Sequence, residues 1–484
     1  MQNKSIWSNE LKNTYPKLDT NLDVDVLIIG GGMTGVNVSY NLINSGLSVC
    51  LVEKSVLGSG VSSKTTGKLT YLQENIFSKI KFYYGNGVAS KYINSQKEAI
   101  EIIKQIIARE NIKCNLDRVR SYIYSNNVTF KLKRERRLLR SAGINTLSAT
   151  NLPDGEKTNS FYVLDTYVFN PLKYINSIAK ICSDRGISIY ENTKVESMEF
   201  VNNSYICHVN GHIIRSKFVV LAVHYPWFIK PFFLPFKAYL EKSYIGAYQV
   251  NNDYHFSAIT VDFPSTSMRY YTDNGISYKL LLNNSHDLAI KNNEKKNFQS
   301  LLSKNKPYIY LWSNKDLMTI DSLPFIGKIS DNLLIGTGYN TWGMTNSVLA
   351  GKVLSDIILE RDNEYIALFN PKRRISLLAS FNFFKSLLGS GYMFISTKIK
   401  KQKDWYSKRV TFKKINGKEV GIFVDEDNIS HIVYNKCPHL KCSLIFNEVE
   451  KTWDCPCHGS RFDIDGKCIE GPSNYNIGYN GDVK

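Results

Sequence analysis

"VDVLIIGGGMTGVNVSYNLINSGLSVCLVEKS", residues 24–55, decides how the first part of the chain folds. An apolar, β-branched run reads as a buried strand, a glycine cluster ends it, an amphipathic stretch follows as a helix, and a second apolar strand stops at Glu53. Gly30, Gly32 and Gly35 form G-x-G-x-x-G at the junction of strand and helix. The first glycine permits a tight turn, the second lets a pyrophosphate approach the backbone, and the third lets helix and strand pack closely. The helix start adds free N–H donors and positive potential. Glu53, eighteen residues past the last glycine, suits ribose hydroxyls and disfavours a 2′-phosphate. The pattern predicts a βαβ dinucleotide site. No second G-x-G-x-x-G occurs, so one dinucleotide is expected rather than separate flavin and nicotinamide domains.

The chain has 484 residues, 43% hydrophobic and 21% charged, enough for two to four domains. The first twenty residues lack the apolar core and small-residue cleavage site of a secretory signal, and no uncharged apolar run of 18 residues occurs, so a cytoplasmic protein is expected. In a reducing compartment Cys50, Cys114, Cys182 and Cys207 read as free buried thiols, whereas clustered cysteines call for a metal or redox role. The net charge is +18, and residues 366–405 concentrate it, with 8 Lys and Arg against 1 acid. Residues 406–484 are balanced, 11 against 11. No zinc-finger, helix-turn-helix or RNA-binding signature accompanies the basic stretch, and nucleic acid is not an expected partner.

Beyond the first βαβ unit, "VASKYINSQKEAIEIIKQIIARE" reads as helix and "RSYIYS" as strand. Strand signals return at 187–200 and 217–226, a β-rich aromatic stretch covers 237–313, and 323–360 reads as strand, glycine turn and helix. Several of these segments resemble the FAD-dependent oxidoreductases of the D-amino-acid oxidase and glycine oxidase superfamily. They are "GSGVSSKTTGKLT" (58–70), "FNPLKYINSIAK" (169–180), "GISIYENTKV" (186–195) and "IDSLPFIG" with "GTGYNTWGMTNSVLAG". The resemblance spans residues 20–365 and implies an α/β FAD-binding domain, Rossmann-type and glutathione-reductase-like, in segments 20–75, 150–235 and 314–365. An antiparallel β substrate domain is implied for 76–149 and 236–313. It also implies FAD contacts from the loop holding Thr65 and Thr66, from the backbone of Val195, and from Gly338, Gly343, Met344 and Thr345. N–H groups at that last helix start would stabilise the negative charge of a reduced flavin. Arg269, Tyr270, Tyr271 and Lys279 are candidates to hold a substrate carboxylate, and Lys64 or Lys68 to sit near the isoalloxazine. No catalytic base is expected, since the flavin itself can take the hydride.

Near the C-terminus, "KCPHLKC" (436–442) and "WDCPCHGSRF" (453–462) hold four of the nine cysteines and two of the eight histidines. A structural zinc site is one explanation. The order argues otherwise: C-x-H at Cys437 and His439 precedes C-x-x-H at Cys455 and His458, and each loop has an extra cysteine, Cys442 and Cys457. This arrangement resembles Rieske [2Fe–2S] proteins, in which two cysteines bind one iron and two histidines the other. Neutral imidazoles in place of two thiolates lower the anionic charge around one iron and raise its potential. The resemblance to the respiratory branch implies a Cys442–Cys457 disulfide and a hydrogen bond from Ser460 to a cluster sulfur. Phe462 stands where those homologues usually have tyrosine, which implies one hydrogen bond fewer and a mid-range potential. Gly471 and Pro472 match the third loop that covers the cluster, and the preceding alternating strands predict a small all-β domain over 406–484.

Between the two parts, Leu377, Leu378, Phe381, Phe384 and Leu388 recur at helical spacing among basic residues. A basic amphipathic helix over 375–396 suits an anionic membrane surface, but docking on the flavoprotein body is the simpler expectation. A flavin takes electrons in pairs and a Rieske cluster passes them singly. The expected function is oxidation of a small amine or amino acid, with electrons passing from FAD through the cluster to an external one-electron carrier, an acidic protein or a quinone. The alternatives are a non-catalytic redox sensor and a membrane-associated quinone-linked dehydrogenase.

Overall fold

The computed structural model describes residues 4–126, 129–228, 232–288, 297–298, 301, 308–379 and 409–479. Its first layer is a sheet in the order Phe325–Ser330, Leu333–Thr337, His212–Leu221, Leu22–Ile29, Val49–Val52, Ser188–Tyr190, parallel except at the first pair. The inner strands carry apolar runs at residues 26–29, 49–52, 218–221 and 333–335, buried because both faces are covered there. On one face the helix Met33–Leu42, almost wholly buried, lies against the helix Gly343–Ile358. Two close approaches require glycine there: a Cβ on Gly35 would collide with the Gly30 carbonyl, and one on Gly351 would stand 2.6 Å from Asn37 Cβ. The helix Pro171–Asp184 starts where its sequence predicts, with the Asn170 side chain accepting from the N–H groups of Leu172 and Lys173 and proline in the first turn.

The second layer is a largely antiparallel nine-stranded sheet. Its path runs Tyr308–Thr319, Ala238–Val250, Ile276–Asp287, Ser267–Asp273, Phe256–Thr260, Asp117–Ser125, Lys157–Val168, Lys68–Leu69. Here the segment boundaries differ from those read in the sequence. Lys157–Val168 falls within 150–235 and Lys68–Leu69 within 20–75, yet both pair into the second sheet; Tyr308–Thr319 runs across the boundary at 313. The long ladder between Asp117–Ser125 and Lys157–Val168 satisfies their backbone groups, a non-local pairing that no local pattern encodes.

The C-terminal part is all β, a three-stranded sheet (Val410–Ile415, Lys418–Val424, Ser430–Tyr434) beside a four-stranded one (Ile445–Asn447, Thr452–Asp454, Arg461–Phe462, Cys468–Glu470). Trp453 fills its core between Phe412 and Phe446, and Gly421 is needed because a Cβ would stand 2.5 Å from the indole. His431 bonds Asp425 and Asp465, away from the two cysteine loops. In the basic segment, Leu377 and Leu378 are exposed, while Phe381, Phe384, Leu388 and nearly all of 375–396 lie outside the described residues. No described helix is long and apolar enough to cross a membrane.

Candidate functional site

The glycine turn opens into a cavity of about 610 Å³, within the range of cofactor pockets. Gly30, Gly32, Met33, Thr34, Glu53, Lys64, Thr65, Val195, Gly343 and Met344 line it. Gly30 adopts φ 109°, and a Cβ on it would stand 2.6 Å from the Ala222 carbonyl. Glu53 braces the turn, its carboxylate accepting from the N–H groups of Gly31 and Ser55 at 2.9 Å each. Burial raises its pKa against those bonds. Of the other expected contacts, Gly35, Thr66, Gly338 and Thr345 stand behind the lining; the Thr345 hydroxyl donates to Gln96 Oε1 at 2.6 Å. The bare backbone at the turn and the cavity beside it fit a dinucleotide.

The candidate carboxylate-binding residues are bonded elsewhere. Arg269 is fully buried, with Nη1 donating to the carbonyls of Thr66, Gly67 and Phe169 at 2.7, 2.7 and 3.1 Å. Trp7 and Tyr271 cover its guanidinium, ring centroids 5.5 and 5.4 Å from Cζ. Lys279 and the Tyr270 hydroxyl both bond Asp154, at 2.7 and 3.0 Å. Arg269 therefore acts as a clamp that fixes the loop next to Thr65. Lys64 lies 3.5 Å from Glu470. Lys68 is buried, bonded to Ser267 and 5.7 Å from the Trp342 ring. Burial pulls its ammonium down to about 7, against the attraction of Glu74.

In the C-terminal part the two loops converge. Cys437 and Cys455 are buried and hydrogen-bonded through their sulfurs, and the rings of His439 and His458 meet edge to face with centroids 5.1 Å apart. His458 Nδ1 is buried without a hydrogen-bond partner, as a nitrogen reserved for a metal would be. Cys442 and Cys457 meet sulfur to sulfur, Cα atoms 6.6 Å apart. The Ser460 hydroxyl reaches the Cys437 sulfur and accepts from the Ser473 N–H at 2.9 Å. Two buried thiols and two half-buried imidazoles, brought together, fit the mixed ligand set of a Rieske cluster.

The two parts meet over the cavity. Lys467 to Asn474 of the C-terminal part form one of its walls. Lys54 donates to the Ile469 carbonyl at 3.3 Å, Lys194 to that of Asn474, and Asn474 Nδ2 to that of Val195 at 3.2 Å. Behind this wall lies a buried ion network. Lys242, with no exposed side-chain area, is 3.4 Å from Glu450 and 3.5 Å from Asp454; Lys315 donates to the Gly459 carbonyl at 2.7 Å; Arg461 reaches Glu450 at 2.9 Å and Asp454 at 3.2 Å. Burial opposes ionisation of Glu450, but Arg461, Lys242 and the Ser313 hydroxyl outweigh it and hold its carboxyl at about 2. His224 lines the cavity beside this network, and burial lowers its imidazole to about 4.

These interdomain residues were not singled out in the sequence. A signal exists: "EK" at 241–242 and "KD" at 315–316 place opposite charges side by side within otherwise apolar and aromatic strands. Alternation sends neighbours to opposite faces, so each pair must serve two environments.

A family model of FAD dependent oxidoreductases matches residues 25–357, and one of the Rieske [2Fe-2S] domain matches 396–479. The Rieske 2Fe-2S iron-sulfur protein YhfW of Bacillus subtilis is 30% identical over 481 residues, 95% of this chain and 94% of that one. Gamma-glutamylputrescine oxidoreductase of Escherichia coli is 21% identical, over 72% of this chain and 87% of that one. Among solved structures, glycine oxidase from Geobacillus kaustophilus superposes with a TM-score of 0.62 at 17% identity, covering 73% of this chain and 100% of the other. The glycine turn and its cavity lie within the first matched range and the paired Cys–His loops within the second, and the chain belongs to the FAD dependent oxidoreductases, with a C-terminal Rieske domain and with FAD and a [2Fe–2S] cluster as its cofactors.

Proposed function

We propose that the protein oxidises a small amine or amino acid and passes the electrons, one at a time, through the Rieske cluster to an external one-electron carrier. Bound FAD would supply the two-electron sink and the cluster the one-electron relay. The substrate would lose a hydride from carbon and a proton from nitrogen, leaving an imine that water hydrolyses. Two single-electron transfers then return the protein to its starting state. Gly30, Gly32 and Glu53 would hold the dinucleotide; Cys437, His439, Cys455 and His458 would ligate the irons; Cys442 and Cys457, joined as a disulfide, would tie the two loops.

The observation that carries this reading is the shared wall. The segment Lys467–Asn474 borders the flavin cavity, and its Ser473 N–H bonds Ser460, whose hydroxyl reaches the cluster cysteine Cys437. The similarity to gamma-glutamylputrescine oxidoreductase and to glycine oxidase supports an amine or amino-acid substrate. Anaerobic titration with a panel of amines and amino acids, following flavin absorbance and the EPR signal of the reduced cluster together, tests it. Flavin bleaching accompanied by the cluster signal is expected. Bleaching without that signal would remove the relay; no bleaching across the panel would favour a sensor.

A further inference from the structure

The strands Ala238–Val250 and Tyr308–Thr319 pair with Glu241 opposite Asp316, Lys242 opposite Lys315, and Ser243 opposite Asn314. Because side chains alternate across a sheet, Lys242 and Lys315 share one face while Glu241, Asp316, Ser243 and Asn314 share the other. The lysine face meets the Rieske domain. On the opposite face, Asn314 and Asp316 line the flavin cavity beside Lys64 and Thr65, and Trp312 Nε1 donates to the Lys64 carbonyl at 2.9 Å.

That face is short of donors. Asn314 spends its Nδ2 on Asp316, 3.1 Å away, and its Oδ1 is buried with no partner. Ser243 Oγ, next to it in the register, is also buried without a partner, and the two residues are 5% and 3% exposed. Two such orphan atoms on neighbouring residues cost stability unless a ligand or water completes them. Around them the charge is negative. Asp287 is the other register neighbour of Glu241, and Glu74 approaches from the segment after Leu69, bonded to Ser265. The cations nearby are Lys79, exposed, Lys68, turned to Ser267, and Lys64, which lines the cavity 3.5 Å from Glu470, itself a further negative charge acting on Asp316. Arg269 Nη1, the Tyr270 hydroxyl and Lys279 Nζ are bonded elsewhere, and Arg269 Nη2, buried without a partner, does not line the cavity.

We infer that the substrate is an alkyl diamine or polyamine without an α-carboxylate, one amino group facing the flavin and a second held as an ammonium by Glu241, Asp316 and the Asn314 carbonyl oxygen. This rests on the proposed oxidation at FAD and narrows its substrate. The nitrogen that is oxidised must carry a lone pair to become an imine, so the acids hold a different one, and an ammonium supplies both the charge and the N–H donors that the face lacks. A carboxylate placed there would meet Glu241 and Asp316 with like charge. Burial, joined for Glu241 by Glu74 and Asp316, and for Asp316 opposed by Asn314, pushes both acids up to about 7. An arriving ammonium would ionise them, releasing about one proton at pH 7 beyond the one that the amine facing the flavin gives up to expose its lone pair.

Calorimetry on the full-length, FAD- and cluster-loaded protein, kept reduced with dithionite so that no turnover occurs, tests this with 1,4-diaminobutane, n-butylamine and glycine in two buffers of different ionisation heat. The diamine should bind at least about tenfold more tightly than butylamine and release about one proton more, the loss of one charged contact being worth roughly a factor of ten or more. Glycine should bind more weakly still. Glu241→Gln and Asp316→Asn, each nearly isosteric and checked for retained flavin, should each remove the diamine's advantage. Equal affinity for all three ligands, tighter binding of glycine, or an advantage that survives both substitutions would overturn the inference. If the diamine binds as expected but does not bleach the oxidised flavin, this pocket assignment stands and the proposed oxidation falls. Bleaching by an amino acid alone would have the reverse meaning.

Discussion

Glu450→Met should loosen the Rieske domain from the flavoprotein body, and the structure fixes the size of the effect. Glu450 belongs to the Rieske domain and reaches across to Lys242 at 3.4 Å and to the Ser313 hydroxyl at 2.7 Å, with Arg461 of its own domain at 2.9 Å. Its side chain is 13% exposed and that of Lys242 fully buried. The carboxyl is lowered from 4.5 to about 2, which by linkage is worth about 3 kcal/mol. A group with a depressed pKa gives its stabilisation fully above the unfolded value and loses it as pH falls through the folded value, so this contribution is intact at pH 7 and fades from about pH 4.5 toward 2. Independently, removing one partner of a buried pair costs about 3–5 kcal/mol, and the low end applies here because Lys242 and Arg461 keep Asp454. Urea unfolding at pH 7 of Glu450→Met, Lys242→Met and the double variant forms a cycle. Each single change should cost about 3 kcal/mol, and the double change should cost less than their sum by about 2 kcal/mol or more. In stopped-flow measurements the rate of cluster reduction after flavin reduction should fall in the singles and recover partly in the double. A coupling energy below about 0.5 kcal/mol, or unaltered transfer rates in both singles, would show that the network does not hold the domains together.

Gly35→Ala should yield protein without bound FAD, because the added methyl collides with the Gly30 carbonyl and spreads the turn; absorbance of the purified protein checks this. Ser460→Ala removes the hydroxyl that joins Cys437 to the Ser473 N–H, and should lower the midpoint potential of the cluster and slow its reduction by the flavin, while Phe462→Tyr should raise the potential. Both are read by EPR-monitored titration. Affinity for 1,4-diaminobutane should increase between pH 6 and 8, since raised pKa values near 7 leave Glu241 and Asp316 partly protonated below that range and ionised above it. Mass spectrometry after alkylation without reductant should find Cys442 and Cys457 unlabelled and linked; labelling of both in metal-loaded protein would exclude the disulfide.

Local chemistry made much of the molecule legible from the chain alone. Gly30, Gly32 and Gly35 announce a turn that no larger residue can make, and the strand and helix around them show their own periodicity. Likewise Cys437, His439, Cys455 and His458 occur at spacings that bring two thiols and two imidazoles together in two tight loops, with little dependence on distant residues. The reading was weakest where one side chain's role depends on a neighbour hundreds of positions away. Arg269 looks like a carboxylate binder by type, but the carbonyls of Thr66 and Phe169 reach it first. Strand register alone sends Asn314 and Asp316 to the cavity beside the glycine turn and Lys242 and Lys315 to the Rieske domain. Amino-acid order therefore determined which cofactors the chain can hold, because those sites are built from short contiguous segments. Only the folded structure decided that Lys467–Asn474 walls the cavity beside the glycine turn and that the sheet next to it divides its charges, because sheet pairing and domain docking are non-local and leave no periodic trace in the sequence.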